Sequence, residues 1–143
     1  MRRVNHLPVL LLLGVGAIGG AACTAESSAE DGASVGTTLT DTSVSVSTPS
    51  APAGTITFDV RNDGTTTHEL YVFRTDLAPD ALPVEDDMVS EDADGVEFIA
   101  EVEDIAPGTA KPLTVDLTAG TYVVLCNIPG HYADGMRTGF EVT

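Results

Sequence analysis

Residues 126–136 read CNIPGHYADGM, and they hold three side chains that bind soft metals. Cys126 brings a thiol, His131 an imidazole and Met136 a thioether, all in one short loop. The preceding residues 122–125, YVVL, form an apolar run that is typical of a buried strand. A strand that ends at the cysteine would deliver the whole loop to one end of a sheet.

The chain from about Thr38 onward reads as short strands separated by turns. Ile56, Phe58 and Val60 alternate with polar residues, which is typical of strands with one buried and one exposed face. The sequence therefore predicts an all-β Greek-key β-sandwich of seven to eight strands, with a short helical or irregular acidic insertion. The predicted strands are Thr40–Thr48, Gly54–Arg61, His68–Arg74, Val96–Val102, Lys111–Leu117, Gly120–Cys126 and Arg137–Val142.

His68 begins one of these predicted strands, far upstream of the loop. Alternation places His68, Leu70 and Val72 on one face, and the two aliphatic side chains make that the core face. A neutral buried imidazole needs a polar partner, and a metal ion is one. A hydrogen-bonded core histidine without a metal is the alternative.

Glycine and proline give the loop of residues 126–136 its shape. Pro129 and Gly130 predict a turn that holds the cysteine and the histidine at a fixed separation. Gly135 allows the backbone to bring the methionine back under a metal. Such a rigid arrangement would limit the change in geometry between two oxidation states of the metal.

Two histidines, one cysteine and a weakly bound methionine are the ligands of a mononuclear blue-copper site. With Ile-Pro-Gly before the histidine and the spacing Cys-x4-His-x4-Met, the chain resembles the cupredoxins over roughly residues 38–143. The loop resembles that of the rusticyanin and auracyanin type. The resemblance implies that His68, Cys126, His131 and Met136 bind one copper ion per chain, which alternates between Cu(I) and Cu(II). Ordinary core packing is the alternative for Met136.

The resemblance also implies an apolar rim around His131, through which an electron passes. The rim residues would be Ile128, Pro129, Tyr132 and Ala133, unless these side chains only close the end of the sandwich. Cupredoxins often place an asparagine directly after the upstream histidine. Here that residue is Glu69, which strand alternation turns away from the core.

The chain is strongly acidic, with 22 Asp and Glu against 6 Lys and Arg and a formal net charge of −16. This balance excludes nucleic-acid binding and favours basic partners. Twelve of the 22 acidic residues lie between Asp76 and Asp104, with no Lys or Arg among them. They form either a docking surface for a redox protein with a basic surface or simply a solvated face. The residues from Thr75 to Asp94, which overlap this segment, are expected to form an irregular connection with a short helix around Glu85–Ser90.

The first 22 residues have the layout of an export signal, with a basic start, an apolar run and small residues before Cys23. GGAAC at 19–23 resembles a bacterial lipobox, so lipidation of Cys23 is expected and a plain secretory signal is the alternative. The predicted organisation is a signal peptide at 1–22, a lipidated Cys and disordered linker at 23–36, and a cupredoxin domain at 37–143. The protein would be exported and lipid-anchored to the cell membrane, facing the periplasm or the cell exterior.

Lipidation of Cys23 would leave Cys126 as the one remaining thiol, for which metal binding supplies a reason. A disulfide between Cys23 and Cys126 is the alternative. The expected function is a monomeric carrier of single electrons between redox proteins. It is not an enzyme, because the chain has only 3 His and lacks the further clusters that catalytic copper needs. Copper delivery or sequestration at the cell surface, and a metal-free scaffold domain, are the competing functions.

Overall fold

The computed structural model describes residues 32–143 of the chain. The predicted signal peptide, the lipidation site Cys23 and most of the predicted linker lie outside the described residues. Residues 32–143 contain no helix that could span a membrane. The strands of this part are β1 (Ala33–Thr40), β2 (Ser43–Val46), β3 (Ser50–Ala51), β4 (Gly54–Asn62), β5 (His68–Arg74), β6 (Val84–Glu85), β7 (Met88–Val89), β8 (Glu97–Ile105), β9 (Ala110–Leu117), β10 (Gly120–Leu125) and β11 (Arg137–Val142).

The strands form two main sheets, in the orders β2-β1-β4-β9 and β3-β11-β10-β5-β8. Strand β1 runs parallel to β4, and β3 runs parallel to β11, while the other pairs are antiparallel. The all-β sandwich that the sequence predicts is confirmed. Eight of the eleven described strands have four residues or more, which agrees with the predicted seven to eight.

The main core lies between the two sheets and is built from the apolar positions of the alternating strands. Ile56, Phe58 and Val60 of β4 are all fully buried, as their spacing predicts. The rings of Phe58 and Phe140 meet edge to face across the sheets, with centroids 5.3 Å apart. On β5, the side chains of His68 and Leu70 lie on the same face, and both are fully buried, with 0% exposure.

Strand β1 corrects the sequence prediction at the N-terminal edge. Residues 33–36 were expected in the linker of residues 23–36, with the domain beginning at 37, yet they belong to β1. Ala33 pairs with Ile56 in the parallel register, and Val35 is fully buried. The small polar residues of this segment do not suggest a strand. Hydrogen bonds to β4 and one buried valine stabilise the strand more than its composition suggests.

A second apolar cluster covers the outer face of the five-stranded sheet. Side chains from β5 and β10 that point away from the main core pack there against Leu82 and Val89, which lie in the connection between β5 and β8. We call this connection, residues 75–96, the acidic connection. Its acidic side chains remain exposed, while the buried Leu82 and Val89 hold it on the sheet. The members of the cluster are Tyr71, Phe73, Leu82, Val89, Val123, Leu125 and Tyr132.

The short helix predicted around Glu85–Ser90 is wrong. Residues 84–89 form a two-stranded hairpin, in which Val84 pairs with Val89 and Glu85 with Met88. Asp86 and Asp87 form its turn with φ angles of 50° and 64°. Two successive positive φ angles are typical of the tight turns of hairpins, and aspartate tolerates this conformation better than most residues.

Candidate metal centre

The fold brings three of the four predicted ligands to one end of the five-stranded sheet. His68 is the first residue of β5, and Cys126 directly follows β10, the neighbouring antiparallel strand. One ligand atom from each of His68, Cys126 and His131 lies within 4.8 Å of the others. Cys126 Sγ is 3.4 Å from His131 Nδ1 and 3.9 Å from His68 Nδ1.

A bulge in the neighbouring strand shapes the end of β5 that carries His68. His68 pairs with Ile105 and Leu70 with Val102, so β8 has one extra residue between these pairs. Asp104, within that bulge, has a φ of 54°. Bulges increase local twist and change the direction of side chains near functional sites. The bulge therefore lies where it can set the orientation of His68.

The ligand loop, residues 126–136, closes on itself through backbone hydrogen bonds. The N–H of Cys126 donates to the carbonyl of Met136 at 3.0 Å, and the N–H of Met136 donates to the carbonyl of His131 at 3.1 Å. Gly135 has a φ of 112°, which favours glycine. Met136 is fully buried in the same apolar cluster as Cys126. The backbone thus joins the positions of all three predicted ligands in the loop.

Burial shifts the pKa of the cysteine and of the histidine in the loop. It raises the pKa of the Cys126 thiol, although the N–H groups of Ile128 and Glu69 donate to the sulfur and act in the opposite direction. Burial also lowers the pKa of His131, and the neighbouring His68 lowers it further. A neutral imidazole is the form that binds metals. A thiolate in this place needs a cation beside it.

Solved structures with a similar fold were found, although no protein-family model and no curated protein sequence matches the chain significantly. Dithionite-reduced auracyanin from Roseiflexus castenholzii is 24% identical, with 78% of this chain and 99% of that chain covered and a TM-score of 0.56. Rusticyanin from Thiobacillus ferrooxidans is 21% identical, with 78% and 79% covered and a TM-score of 0.57. Auracyanin A from Chloroflexus aurantiacus, described as a "blue" copper protein, is 19% identical, with 77% and 99% covered and a TM-score of 0.51.

The chain has the cupredoxin fold. A thiolate, two imidazoles and a thioether are soft and intermediate donors, a set that suits copper. The buried thiol, the two imidazoles and the close spacing of their ligand atoms therefore fit one copper ion per chain.

Asp41 contacts the upstream histidine in this cupredoxin fold. It lies in the turn between β1 and β2, and its Oδ1 is 3.1 Å from His68 Nε2. Thr65 donates to both carboxylate oxygens, through its N–H and its hydroxyl, at 2.8 Å each. These hydrogen bonds lower the pKa of Asp41 well below its usual range, with His68 contributing less. The group beside His68 is therefore a carboxylate.

Glu69 follows His68 and takes part in the site, which its predicted outward direction did not suggest. Its carboxylate accepts a hydrogen bond from the backbone N–H of Asn127 in the ligand loop. Partial burial, followed by repulsion from Glu103 and Glu101, raises the pKa of Glu69 to about 7. Because an outward side chain at the end of a strand can still reach the next loop, Glu69 connects β5 to the ligand loop.

The acidic connection is attached to the ligand loop at three places. The side-chain amide of Asn127 accepts from the N–H of Val89 at 2.7 Å and donates to its carbonyl at 3.1 Å. The N–H of Gly130 donates to the carbonyl of Asp87 at 2.9 Å. The Tyr132 hydroxyl completes the set: it accepts from the N–H of Leu82 at 3.0 Å and donates to the carbonyl of Pro79 at 2.8 Å.

The predicted apolar rim is smaller than the sequence implied. Tyr132 was expected in the rim but is 4% exposed and belongs to the outer apolar cluster. The guanidinium of Arg137 covers its ring, 4.9 Å from the centroid, and donates to its carbonyl. Pro129 and Ala133 are exposed, and Ile128 is half-buried like His131. An apolar surface therefore remains beside the more accessible histidine.

Asp41, Asn62 and Gly64 support the site and were not recognised from the sequence. The buried amide of Asn62 donates to the carbonyls of Thr66 and Ile105 at 2.8 and 2.7 Å, which fixes the turn before His68. A Cβ at Gly64 would lie 2.4 Å from Asp41 Oδ1. The residues Asn62-Asp63-Gly64 are typical of a turn and carry no sign of a metal site. An aspartate between two strands has no distinguishing signal either.

Proposed function

We propose that the protein is an exported blue-copper carrier of single electrons between redox proteins. The proposed ligands are His68, Cys126, His131 and Met136. The observation that carries this proposal is the meeting of two imidazoles and one thiol within 4.8 Å at the loop end of a cupredoxin fold. A copper ion bound there would supply one-electron chemistry between Cu(I) and Cu(II).

The ligand residues are held in ways that suit fast electron transfer. His68 and Cys126 are fully buried, and the loop is fixed by its own hydrogen bonds and by those to the acidic connection. Rigid ligands keep nearly the same positions in both oxidation states, so little rearrangement accompanies each electron. His131 is the only half-exposed member of the three clustered ligands, and it lies beside the apolar rim. We propose this rim as the place where electrons enter and leave.

Redox cycling in the presence of a Cu(I) chelator tests this carrier function. We expect the protein to be oxidised by ferricyanide and reduced by ascorbate many times while it keeps its copper. Copper delivery, the competing function, requires that the reduced protein release its metal to the chelator. Loss of copper to the chelator at the first reduction would therefore contradict electron transfer and favour copper delivery.

A pocket lined by acidic side chains supports the proposal that the partner has a basic surface. It has a volume of about 450 Å³ and lies next to the ligand loop, which contributes Asn127, Ile128 and Pro129 to its wall. Carboxylates on this wall would attract a cationic surface and raise the association rate. A partner bound there would lie close to the apolar rim. The acidic residues of the wall are Glu69, Glu85, Asp86, Glu91, Asp92 and Glu103.

The salt dependence of electron exchange with small redox complexes tests this surface. We expect reduction by hexaammineruthenium(II), a cation, to slow as salt is added, because salt screens the attraction. Replacement of Glu85 and Glu91 by glutamine should weaken that dependence. The matched control replaces Asp59 and Asp116 of the four-stranded sheet by asparagine. Equal salt profiles for both double variants would show that the acidic surface is only a solvated face and does not attract a partner.

We propose that the signal peptide is cleaved from the chain before Cys23. A lipid on Cys23 then tethers the carrier to the membrane. The GGAAC motif at 19–23 supports this proposal. Substitution Cys23→Ser should move the protein from the membrane fraction to the soluble fraction without a change in the visible spectrum. Retention of the variant in the membrane fraction would contradict a lipid anchor at this residue.

A further inference from the structure

The turn between β1 and β2 places a carboxylate on the side of His68 that faces away from the proposed metal. His68 Nδ1 faces the Cys126 sulfur at 3.9 Å, and His68 Nε2 faces Asp41 Oδ1 at 3.1 Å. The histidine side chain is fully buried, whereas 41% of the aspartate side chain is exposed. The carboxylate is thus the polar partner on the Nε2 side of a ring with little freedom to turn.

The carboxylate itself is held in place from the loop before β5. Thr65 donates its N–H to Oδ1 and its hydroxyl to Oδ2, both at 2.8 Å. The N–H of Thr66 adds a longer contact to Oδ1 at 3.4 Å. Hydrogen bonds to both oxygens fix the orientation of the carboxylate plane. Asp41 can therefore set the angle of the ring that it contacts.

The surroundings leave room for this contact only because residue 64 is a glycine. A Cβ at Gly64 would lie 2.4 Å from Asp41 Oδ1 and 2.7 Å from His68 Nε2. The residue after the aspartate contacts the other ligand segment, since a Cβ at Gly135 would lie 2.9 Å from the carbonyl oxygen of Thr42. One two-residue turn, Asp41–Thr42, thus lies against both segments that carry proposed ligands.

We infer that Asp41 is a positioning residue of the metal centre, which holds the proton of His68 on Nε2 and presents Nδ1 to the metal. A carboxylate only accepts hydrogen bonds, so the nitrogen that contacts it must carry the proton. With one proton on the ring, held on Nε2, the lone pair lies on Nδ1, on the side of Cys126 and His131. Such carboxylate partners make the imidazole a stronger donor and hold the ring in its binding orientation. This inference rests on the copper site proposed above.

The tautomer of His68 in the metal-free protein tests the inference independently of copper. In nitrogen-15 spectra of the full chain without metal, we expect His68 to carry its proton on Nε2. Asp41→Asn should keep this tautomer, because the amide oxygen still accepts and the amide N–H₂ can donate to Thr65 Oγ1. Asp41→Ala should give a mixture of both tautomers. A wild-type spectrum for Asp41→Ala would overturn the inference, whatever the protein does with copper.

Copper affinity supplies the second measurement. Loss of such a partner lowers metal affinity by roughly 10- to 100-fold, and we expect Asp41→Ala to fall in this range and Asp41→Asn to lie between it and the wild type. Asp41→Asn also removes a negative charge, so its reduction potential should rise.

The matched control for these measurements is Asp63→Asn, which removes a carboxylate of similar exposure, 45% of the side chain, that pairs with Arg61. It should leave the His68 tautomer and the copper affinity unchanged. Equal copper affinity for Asp41→Ala and the control would overturn the role of Asp41 in metal binding. Binding of no copper by the wild type would refute the proposed function alone, since the tautomer measurement would still decide the Asp41 contact.

Discussion

Two segments support the metal centre from opposite sides, and they do so in different ways. On the inner side, the Asp41–Thr42 turn contacts the proposed ligand His68 directly. On the outer side, the acidic connection contacts only the neighbours of ligands, namely Asn127, Gly130 and Tyr132. The inner contact is made by a charged side chain, whereas the outer contacts join neutral groups.

This difference separates two tasks in one small domain. A charged group beside a ligand changes the electronic properties of the metal as well as the position of the ring. Neutral hydrogen bonds to the residues between the ligands hold the loop without adding charge at the metal. The inner turn should therefore control metal affinity and reduction potential, and the acidic connection should control stability and the position of the docking surface.

Cys126→Ser removes the proposed thiolate ligand, and we expect the largest effect from it. The intense visible absorption of the copper protein should disappear, because that band needs a thiolate bound to Cu(II). An absorption spectrum after Cu(II) addition measures this loss, and circular dichroism shows whether the sandwich is retained. Persistence of the band in the folded variant would remove Cys126 from the ligand set.

Gly64→Ala breaks the inner support. The new methyl group would lie within 2.7 Å of both Asp41 Oδ1 and His68 Nε2, so one of them must move. Such overpacking costs typically about 1–3 kcal/mol of unfolding free energy, and copper affinity should fall with it. Gly36→Ala is the control, since its Cβ would meet Ser47 at an ordinary 3.5 Å. Equal stability and copper affinity for both variants would contradict a tight inner contact.

Tyr132→Phe breaks the outer support. It leaves the Leu82 N–H without its acceptor and the Pro79 carbonyl without its donor. An unpaired buried group costs about 1–3 kcal/mol, which urea unfolding would measure, while the visible spectrum should stay nearly unchanged. Tyr122→Phe, which loses a single hydrogen bond to the Thr118 carbonyl, is the control. A large spectral change in Tyr132→Phe would show that the two supports do not have separate tasks.

Met136→Leu tests the fourth proposed ligand with the mildest change. Leucine fills a similar volume, so the fully buried position should tolerate it and copper should remain bound. The reduction potential should rise, because the weak axial donor helps to stabilise Cu(II). Voltammetry measures the shift. An unchanged potential would assign Met136 to ordinary core packing.

The parts of the fold that follow a simple period were predictable from the sequence. Strands β5 and β11 have the predicted bounds, and alternation placed His68 in the core. The spacing within the ligand loop predicted which side chains lie together, and the structure agrees for Cys126 and His131.

The remaining features depend on tertiary contacts that no local pattern encodes. Asp41 contacts His68 across 27 positions of sequence, and nothing in a turn between two strands indicates such a partner. Tyr132 resembled a surface residue of the loop, but the acidic connection covers it. The hairpin of residues 84–89 depends on two aspartates with positive φ angles, a conformation that the helix prediction did not consider.

The visible absorption spectrum of the purified protein during titration with Cu(II) tests the copper site most directly. We expect an intense blue or green band that saturates at one copper per chain, bleaches on reduction with ascorbate and returns on oxidation. Colourless copper binding, or no binding at all, would contradict a blue-copper electron carrier.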